Sequence, residues 1–218
     1  EWNIICNAMD LYKNYNHLLS DYKLNEDFII ECNNKTNVLI FTPHGGGIEP
    51  GTTELVKEIA STDMSYYSFT AKRKNDNKLL HITSTNFDEP TCLAMQSIAT
   101  TSIAIHGSNE KEPLIYIGGQ DIQMIRHINE IFQKNDLDKY KAPFLRDILG
   151  LSKNNIVNKN AIKAGVQFEF SYGIRKMMFE NVDKVKGRIN KTPFFWKIVH
   201  SIRESLTEQL FDRIGYVW

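Results

Sequence analysis

Apolar residues recur along the chain in short runs with the length and β-branched or aromatic character of strands. Such runs predict strands over Phe28–Cys32, Asn37–Thr42, Ser65–Ala71, His81–Ser84, Ser102–His106, Leu114–Ile117, Asn155–Val157 and Val166–Phe170. Between several of them the apolar period lengthens to that of a helix. Thr52–Ala60 sets Leu55, Val56 and Ile59 on one face. Glu89–Ala99 follows Asp88, read as its N-cap, with Pro90 in the first turn. Asp121–Gln133 and Ile174–Val182 are further helical stretches. Pro193–Ile214 carries the fullest set of signals: Thr192 as N-cap, Pro193 at the first helical position and Gly215 as the stop. Its Phe195, Ile198, Val199, Ile202, Leu206 and Leu210 keep helical spacing and read as core.

Strands alternating with helices predict an α/β fold, a sheet packed between helix layers. No repeat, low-complexity tract or long linker divides residues 1–218, so one domain is expected. In such sheets the ligand crevice lies beyond the carboxyl ends of the strands. Three proton-active residues fall there: His44 just past Asn37–Thr42, His106 closing "SIAIH", and Glu169 near the end of "VQFEFS".

Composition narrows the function classes. Of 218 residues, 42% are hydrophobic and 24% charged, as in ordinary globular proteins. Lys+Arg and Asp+Glu balance at 26 each, which argues against a protein built to hold nucleic acid. Cys6, Cys32 and Cys92 are sparse and odd in number, and suggest neither a disulfide framework nor a structural metal site. No apolar run approaches the about 18 residues a membrane helix needs, and no signal peptide opens the chain. The expectation is a soluble, cytoplasmic monomer with no membrane or nucleic-acid partner.

The stretch "FTPHGGGIEPGTTEL", Phe41 to Leu55, raises the chemical question. Its G-x-x-x-x-G spacing is that of a phosphate-binding loop, but Thr52 stands where the lysine belongs. HGGG also occurs in the oxyanion loops of serine hydrolases, but these need a G-x-S-x-G elbow, and "GLSKN" and "HGSNE" lack its second glycine. The third reading is a catalytic metal site. Zinc commonly takes two histidines and one glutamate, with a fourth position left to water. His44 and Glu49 would come from one loop and His106 from a neighbouring strand end, the glycines letting the loop wrap closely and leaving space above the ion. Each residue alone has a plainer explanation: a tight turn, a helix-start acid at Glu49, a semi-buried His106. The conjunction of two strand-end histidines with a strand-end glutamate favours the metal site.

The motifs "HGGGIEPGTTEL", "LHITSTNFDEP", "IAIHG", "IYIGG", "NNIVNK" and "GVQFEFSYGIR" occur in this order. Together, from about Tyr12 to Phe179, the chain resembles the phage-type poly-γ-glutamate hydrolases and their bacterial relatives. The resemblance implies a zinc-dependent amidohydrolase with a fold similar to zinc carboxypeptidases (phosphorylase/hydrolase-like), a mixed central sheet flanked by helices. It implies one zinc ion per chain on His44, Glu49 and His106, with Glu169 as the catalytic residue. The His44-to-Glu49 spacing is longer than in the broader carboxypeptidase pattern and fits the poly-γ-glutamate subgroup. The partner implied is a polyanionic capsule polymer, cleared by a phage or remodelled by a bacterium.

A polyanionic substrate needs cationic contacts. Arg175, six residues after Glu169, is a candidate carboxylate clamp; its plainer reading is a helix-surface arginine. Lys72, with Arg73, Lys74 and Lys78, is a candidate entry patch, Lys159 and Lys163 are further cations, and His81 is a candidate cleft residue. Val166, Phe168 and Phe170 should keep Glu169 less ionised than usual, matched to base work. Two alternatives stand beside the polymer hydrolase: a zinc deacylase or carboxypeptidase acting on a small amide, and a non-catalytic module that binds acidic polymer.

Overall fold

A computed structural model describes residues 10–143 and 149–214, with the side chains of the last helix described through residue 207. Six strands form one mixed sheet: β1 (Phe28–Asn33), β2 (Val38–Gly46), β3 (Ser65–Ala71), β4 (Thr101–Gly107), β5 (Ile115–Gly119) and β6 (Val166–Phe170). Their order is β1-β3-β2-β4-β6-β5. The inner four run parallel, and the two edges, β1 on β3 and β5 on β6, run antiparallel. β2 lies at the centre and is buried along its whole length.

Alternation along the strands sends side chains into two cores. Val38, Ile40, Ile103, Ile105, Val166 and Phe168 meet the helices α2 (Thr52–Ala60), α4 (Ile122–Lys134), α5 (Tyr172–Met178) and α7 (Pro193–Ile214). Leu39, Phe41, Tyr67, Phe69 and Ala104 face the other side, towards α1 (Tyr15–Leu18) and α3 (Pro90–Ile98). A short α6, Val185–Ile189, precedes α7. Each large apolar side chain fully buried in these layers contributes about 1.5–3 kcal/mol. None of the described helices is long and apolar enough to cross a membrane.

Two expected strands are not strands. His81–Ser84 is extended but pairs with no ladder, and Asn155–Val157 runs into a 3-10 turn over Ile156–Lys159, with the Asn155 side chain accepting from Val157 N–H at 3.0 Å. Both are apolar because Ile82, Ile156 and Val157 are wholly buried, which is a demand of packing and not of pairing. Helix α3 is capped by Glu89, whose carboxylate accepts from Cys92 N–H; the expected cap, Asp88, accepts instead from Tyr15 N–H at 2.7 Å. Helix α5 starts after Ser171 and stops at Met178, earlier than Ile174–Val182 predicts. The last helix matches its expected bounds. Thr192 Oγ1 accepts from Phe195 N–H, and Phe195, Ile198, Val199, Ile202 and Leu206 are buried. Gly215, Cys6 and the side chain of Leu210 lie outside the described residues.

Candidate metal centre

Strand β2 supplies the first candidate ligand through an irregularity. Its pairing with β3 steps from Thr42↔Ser68 to Gly45↔Thr70, one residue more on β2 than on β3. A one-residue slip sends a side chain to the opposite face. Strict alternation from Val38 and Ile40 would point His44 into the α2 core; the bulge brings it to His106 instead. The glycines follow from close packing. A Cβ on Gly45 would fall 2.3 Å from Thr53 Oγ1, and one on Gly46, whose φ is +65°, would fall 2.1 Å from the Ala71 carbonyl oxygen. Neighbouring atoms thus fill the space beside these glycines, which serve the close packing of the loop.

His44, Glu49 and His106 converge, with one ligand atom of each lying within 4.8 Å of the others. Nδ1 of His44 is 3.1 Å from Nδ1 of His106 and 3.0 Å from Glu49 Oε1; His106 Nδ1 is 3.7 Å from Glu49 Oε2. Glu49 is fixed from both ends. Its backbone N–H donates to the His44 carbonyl at 3.0 Å, and its Oε2 accepts from Gly107 N–H at 2.8 Å.

The donor chemistry fits a divalent cation. His44 Nε2 is 2.8 Å from the Ile82 carbonyl oxygen, which can only accept, so Nε2 carries the hydrogen. A neutral His44 therefore turns a bare Nδ1 lone pair towards a carboxylate and a second imidazole. Where His106 also carries its hydrogen on Nε2, three acceptors converge, an arrangement that favours a positive charge among them. A carbonyl on the outer nitrogen is also the usual support of a metal-ligating histidine.

The acid–base balance agrees. Burial works against the charged form of His44, but the Glu49 charge and hydrogen bond outweigh it and raise its pKa. Burial depresses His106 to about 3, against the pull of Glu49 and with the repulsion of His44. Burial likewise opposes the Glu49 carboxylate, but the His44 charge and hydrogen bond bring it down to about 2. The cluster thus holds one neutral imidazole and one fixed carboxylate, and His44 takes up positive charge readily.

Glu169 stands beside this group. It pairs with His106 across β4–β6 and with Tyr116 across β5–β6, so the three side chains share one face of the sheet. It sits on an inner strand and not on an edge. Burial, then the Glu49 charge, push its carboxyl well above the usual range; Arg175 opposes this and Glu110 adds to it. Glu110 accepts from Tyr116 Oη at 3.2 Å and from Ser108 Oγ at 2.7 Å. Tyr116 is itself raised to about 12, by burial and by Glu110.

The other expected site residues are distributed differently. Arg175 is neither on the helix surface nor open to a ligand, being only 2% exposed. Its guanidinium donates to three carbonyls, Phe170 at 3.1 Å, Pro50 at 2.7 Å and Ser108 at 2.6 Å. It ties the ends of β4 and β6 to the Glu49 loop, and this staple takes the place of the expected substrate clamp. Lys72 is exposed and outside the cleft lining, and Arg73 is engaged by Asp27 at 2.6 Å, so the expected entry patch does not form as a unit. Lys78 does reach the site. With Asp10, Ile48, Glu49, His81, Gly107 and Asn109 it lines a cleft of about 220 Å³, and its Nζ lies 3.2 Å from Asn109 Oδ1. His81 is in that lining, its ring on the face of His44 with centroids 3.9 Å apart. Sequence reasoning missed Asp10, which lies 2.6 Å from His81 Nδ1 from a position 71 residues away, and also missed Asn109, Glu110 and Tyr116. "IAIHG" and "IYIGG" run close to the last three, but no spacing rule joins Asp10 to the site.

The chain is similar to known proteins over most of its length. A family model described as poly-gamma-glutamate hydrolase matches residues 12–201. The chain is 34% identical to the UPF0714 protein YndL of Bacillus subtilis (strain 168) over 172 residues, 79% of this chain and 68% of YndL. It is 30% identical to the SPbeta prophage-derived UPF0714 protein YoqZ of the same organism, over 95% of this chain and 76% of YoqZ. Among solved structures, a bacteriophage poly-gamma-glutamate hydrolase superposes with a TM-score of 0.87 at 30% identity, covering 92% of this chain and 98% of the other. A zinc-free apo form of YndL superposes at 0.85 with 29% identity, covering 93% and 100%. With the mixed sheet, the His-Glu-His cluster and a family match over most of its length, this chain belongs to the poly-gamma-glutamate hydrolase family.

Proposed function

We propose that this chain hydrolyses the γ-glutamyl amide bonds of poly-γ-glutamate at one zinc ion held by His44, Glu49 and His106, with Glu169 as general base. The observation that carries the reading is the convergence of two imidazole Nδ1 atoms and the Glu49 carboxylate beside Glu169. Zinc is chosen because the ligands are two nitrogens and a carboxylate, and because a solved relative is described by its zinc-free state. When bound, zinc supplies a Lewis acid and lowers the pKa of water to about 7.

The chain's own groups supply the rest. The Glu169 carboxylate accepts the proton of the attacking water and hands it to the departing amide nitrogen. Its upward-shifted pKa suits both halves of that task, since a more basic carboxylate takes the proton more readily and keeps it until the nitrogen leaves. Gly107 N–H holds Glu49, and the Arg175 staple holds the loop that carries Glu49, so the ligand set is preorganised. Lys78 is the cleft's lysine among carboxylates at Asp10 and Glu49, and is the group that fits a substrate carboxylate.

Incubation of the purified chain with poly-γ-glutamate, with and without a chelator, tests this. Shorter polymer, lost on chelation and restored by zinc, is expected. Polymer left intact by the zinc-loaded chain sinks the reading. Release of monomers alone, with small γ-glutamyl amides also cleaved, would point to the small-amide hydrolase.

A further inference from the structure

Asp10 lies just ahead of the family-matched residues 12–201, yet it reaches the metal centre's support. Its Oδ1 is 2.6 Å from His81 Nδ1, and its Oδ2 accepts the Thr83 N–H. One carboxylate thus grips the chain on both sides of Ile82. Ile82 is the residue whose carbonyl meets His44 Nε2 at 2.8 Å. The buried Ile82 side chain sets the depth of this segment. The direction of its carbonyl depends on the flanking peptide groups, because residues 81–83 belong to no ladder that would fix it. The His81 ring, held by the same carboxylate, lies over the His44 ring with planes tilted by 31°.

We propose that Asp10 is a positioning residue of the metal centre: by clamping His81 and Thr83 on either side of Ile82, it fixes the carbonyl that keeps His44 in its Nε2–H tautomer. Nδ1 is thereby left bare towards Glu49 and His106. The inference rests on the ligand set proposed above. Outer partners that orient a ligating histidine are worth roughly 10- to 100-fold in metal affinity. Asp10 acts one bond further out, so the lower end of that range is expected.

The test uses the full chain as wild type, Asp10→Ala, Asp10→Asn and His81→Ala. Zinc affinity is read by competition with a chromophoric chelator, and the His44 tautomer by nitrogen NMR of the metal-free protein at alkaline pH, where the ring is neutral. Asp10→Ala should weaken zinc about tenfold and replace the single His44 tautomer by a mixture. Asp10→Asn keeps an oxygen for Thr83 N–H and should retain most of the affinity. His81→Ala removes one of the two grips and should fall between wild type and Asp10→Ala; this also decides the matter if Asp10→Ala fails to fold. Wild-type affinity with an unchanged tautomer in Asp10→Ala overturns the inference. So does weakened zinc binding with the tautomer untouched, which would mean general loosening. A wild-type chain that binds no zinc sinks the proposed ligand set, while the tautomer comparison still decides the role of Asp10.

Discussion

Nδ1 of His44 and Nδ1 of His106 lie 3.1 Å apart, from strands that are neighbours in the sheet. At this distance the two rings either share one N–H···N hydrogen bond or turn both lone pairs to a common cation. A proton on His44, held by Glu49, serves one of these contacts; a divalent ion satisfies both lone pairs and the carboxylate together. His106→Ala should therefore cost most of the bound zinc, read by elemental analysis. Full retention of metal in that variant would remove His106 from the ligand set.

Glu169→Gln isolates proton transfer from metal binding. The amide keeps the shape of the side chain beside His106 but cannot take a proton from water. Turnover should fall by roughly 10²- to 10⁴-fold, the usual worth of a general base, while zinc content stays the same. Loss of zinc along with activity would instead make Glu169 a ligand.

Much of this was legible in the chain, for identifiable reasons. The runs at β1 to β6 combine β-branched or aromatic residues with strand-like length, and the α7 helix shows cap, proline and period together. His44, Glu49, His106 and Glu169 could be singled out because strand ends and a costly glycine run are visible without coordinates. Burial without pairing was not legible: Ile82 and Ile156 look like strand residues because both are fully buried, and composition does not distinguish packing from a ladder. Long-range partners were not legible either. Asp88 serves Tyr15 from 73 residues away, and Arg175 looks like any surface arginine until three carbonyls close around it.

The staple reading of Arg175 makes a claim that a substrate clamp does not. Removing the side chain leaves the Pro50 and Ser108 carbonyls without this donor, while the Phe170 carbonyl keeps the Ser108 N–H at 3.1 Å. Each buried polar group left unpaired costs about 1–3 kcal/mol, so Arg175→Ala should lose roughly 2 kcal/mol or more in denaturant unfolding. A variant of wild-type stability with a raised KM on polymer would restore the clamp.

Acid should loosen the docking of α7. Asp63 accepts from Arg203 Nη2 at 2.8 Å, and Glu204 accepts from Lys134 at 2.6 Å. Arg203's hydrogen bond lowers the Asp63 pKa, and Lys134's lowers that of Glu204. A carboxylate lowered in the folded state stabilises above its unfolded pKa, about 4, and that stability is lost as pH falls through the lower folded value. The pairs are exposed, so each is worth under about 1 kcal/mol. Asp63→Asn removes the charge while leaving Arg203's bond to the Ile59 carbonyl, and should thus lower Tm slightly at pH 7, with the gap to wild type closing below about pH 4. A gap that stays constant down to pH 2 would count against the ion pair as its source.

Lys78 gives the sharpest test of substrate recognition. Its ammonium stands at the cleft beside Asn109, in a lining that also carries the carboxylates of Asp10 and Glu49. A polyanion approaching those acids is repelled unless a cation offsets them. Charges this close to solvent interact over about 8–10 Å before salt screens them. Lys78→Glu should therefore raise KM for the polymer by roughly tenfold at low salt, with the difference shrinking as salt is added. Zinc content and Tm should not change, because the side chain is exposed and touches no ligand. Lys197→Glu, the same charge change on the exposed face of α7, should leave KM unaltered. If both variants raise KM equally, overall charge and not a specific contact governs binding. If Lys78→Glu keeps its KM, the polymer carboxylates are held elsewhere and the cleft cation serves only to balance its acidic neighbours.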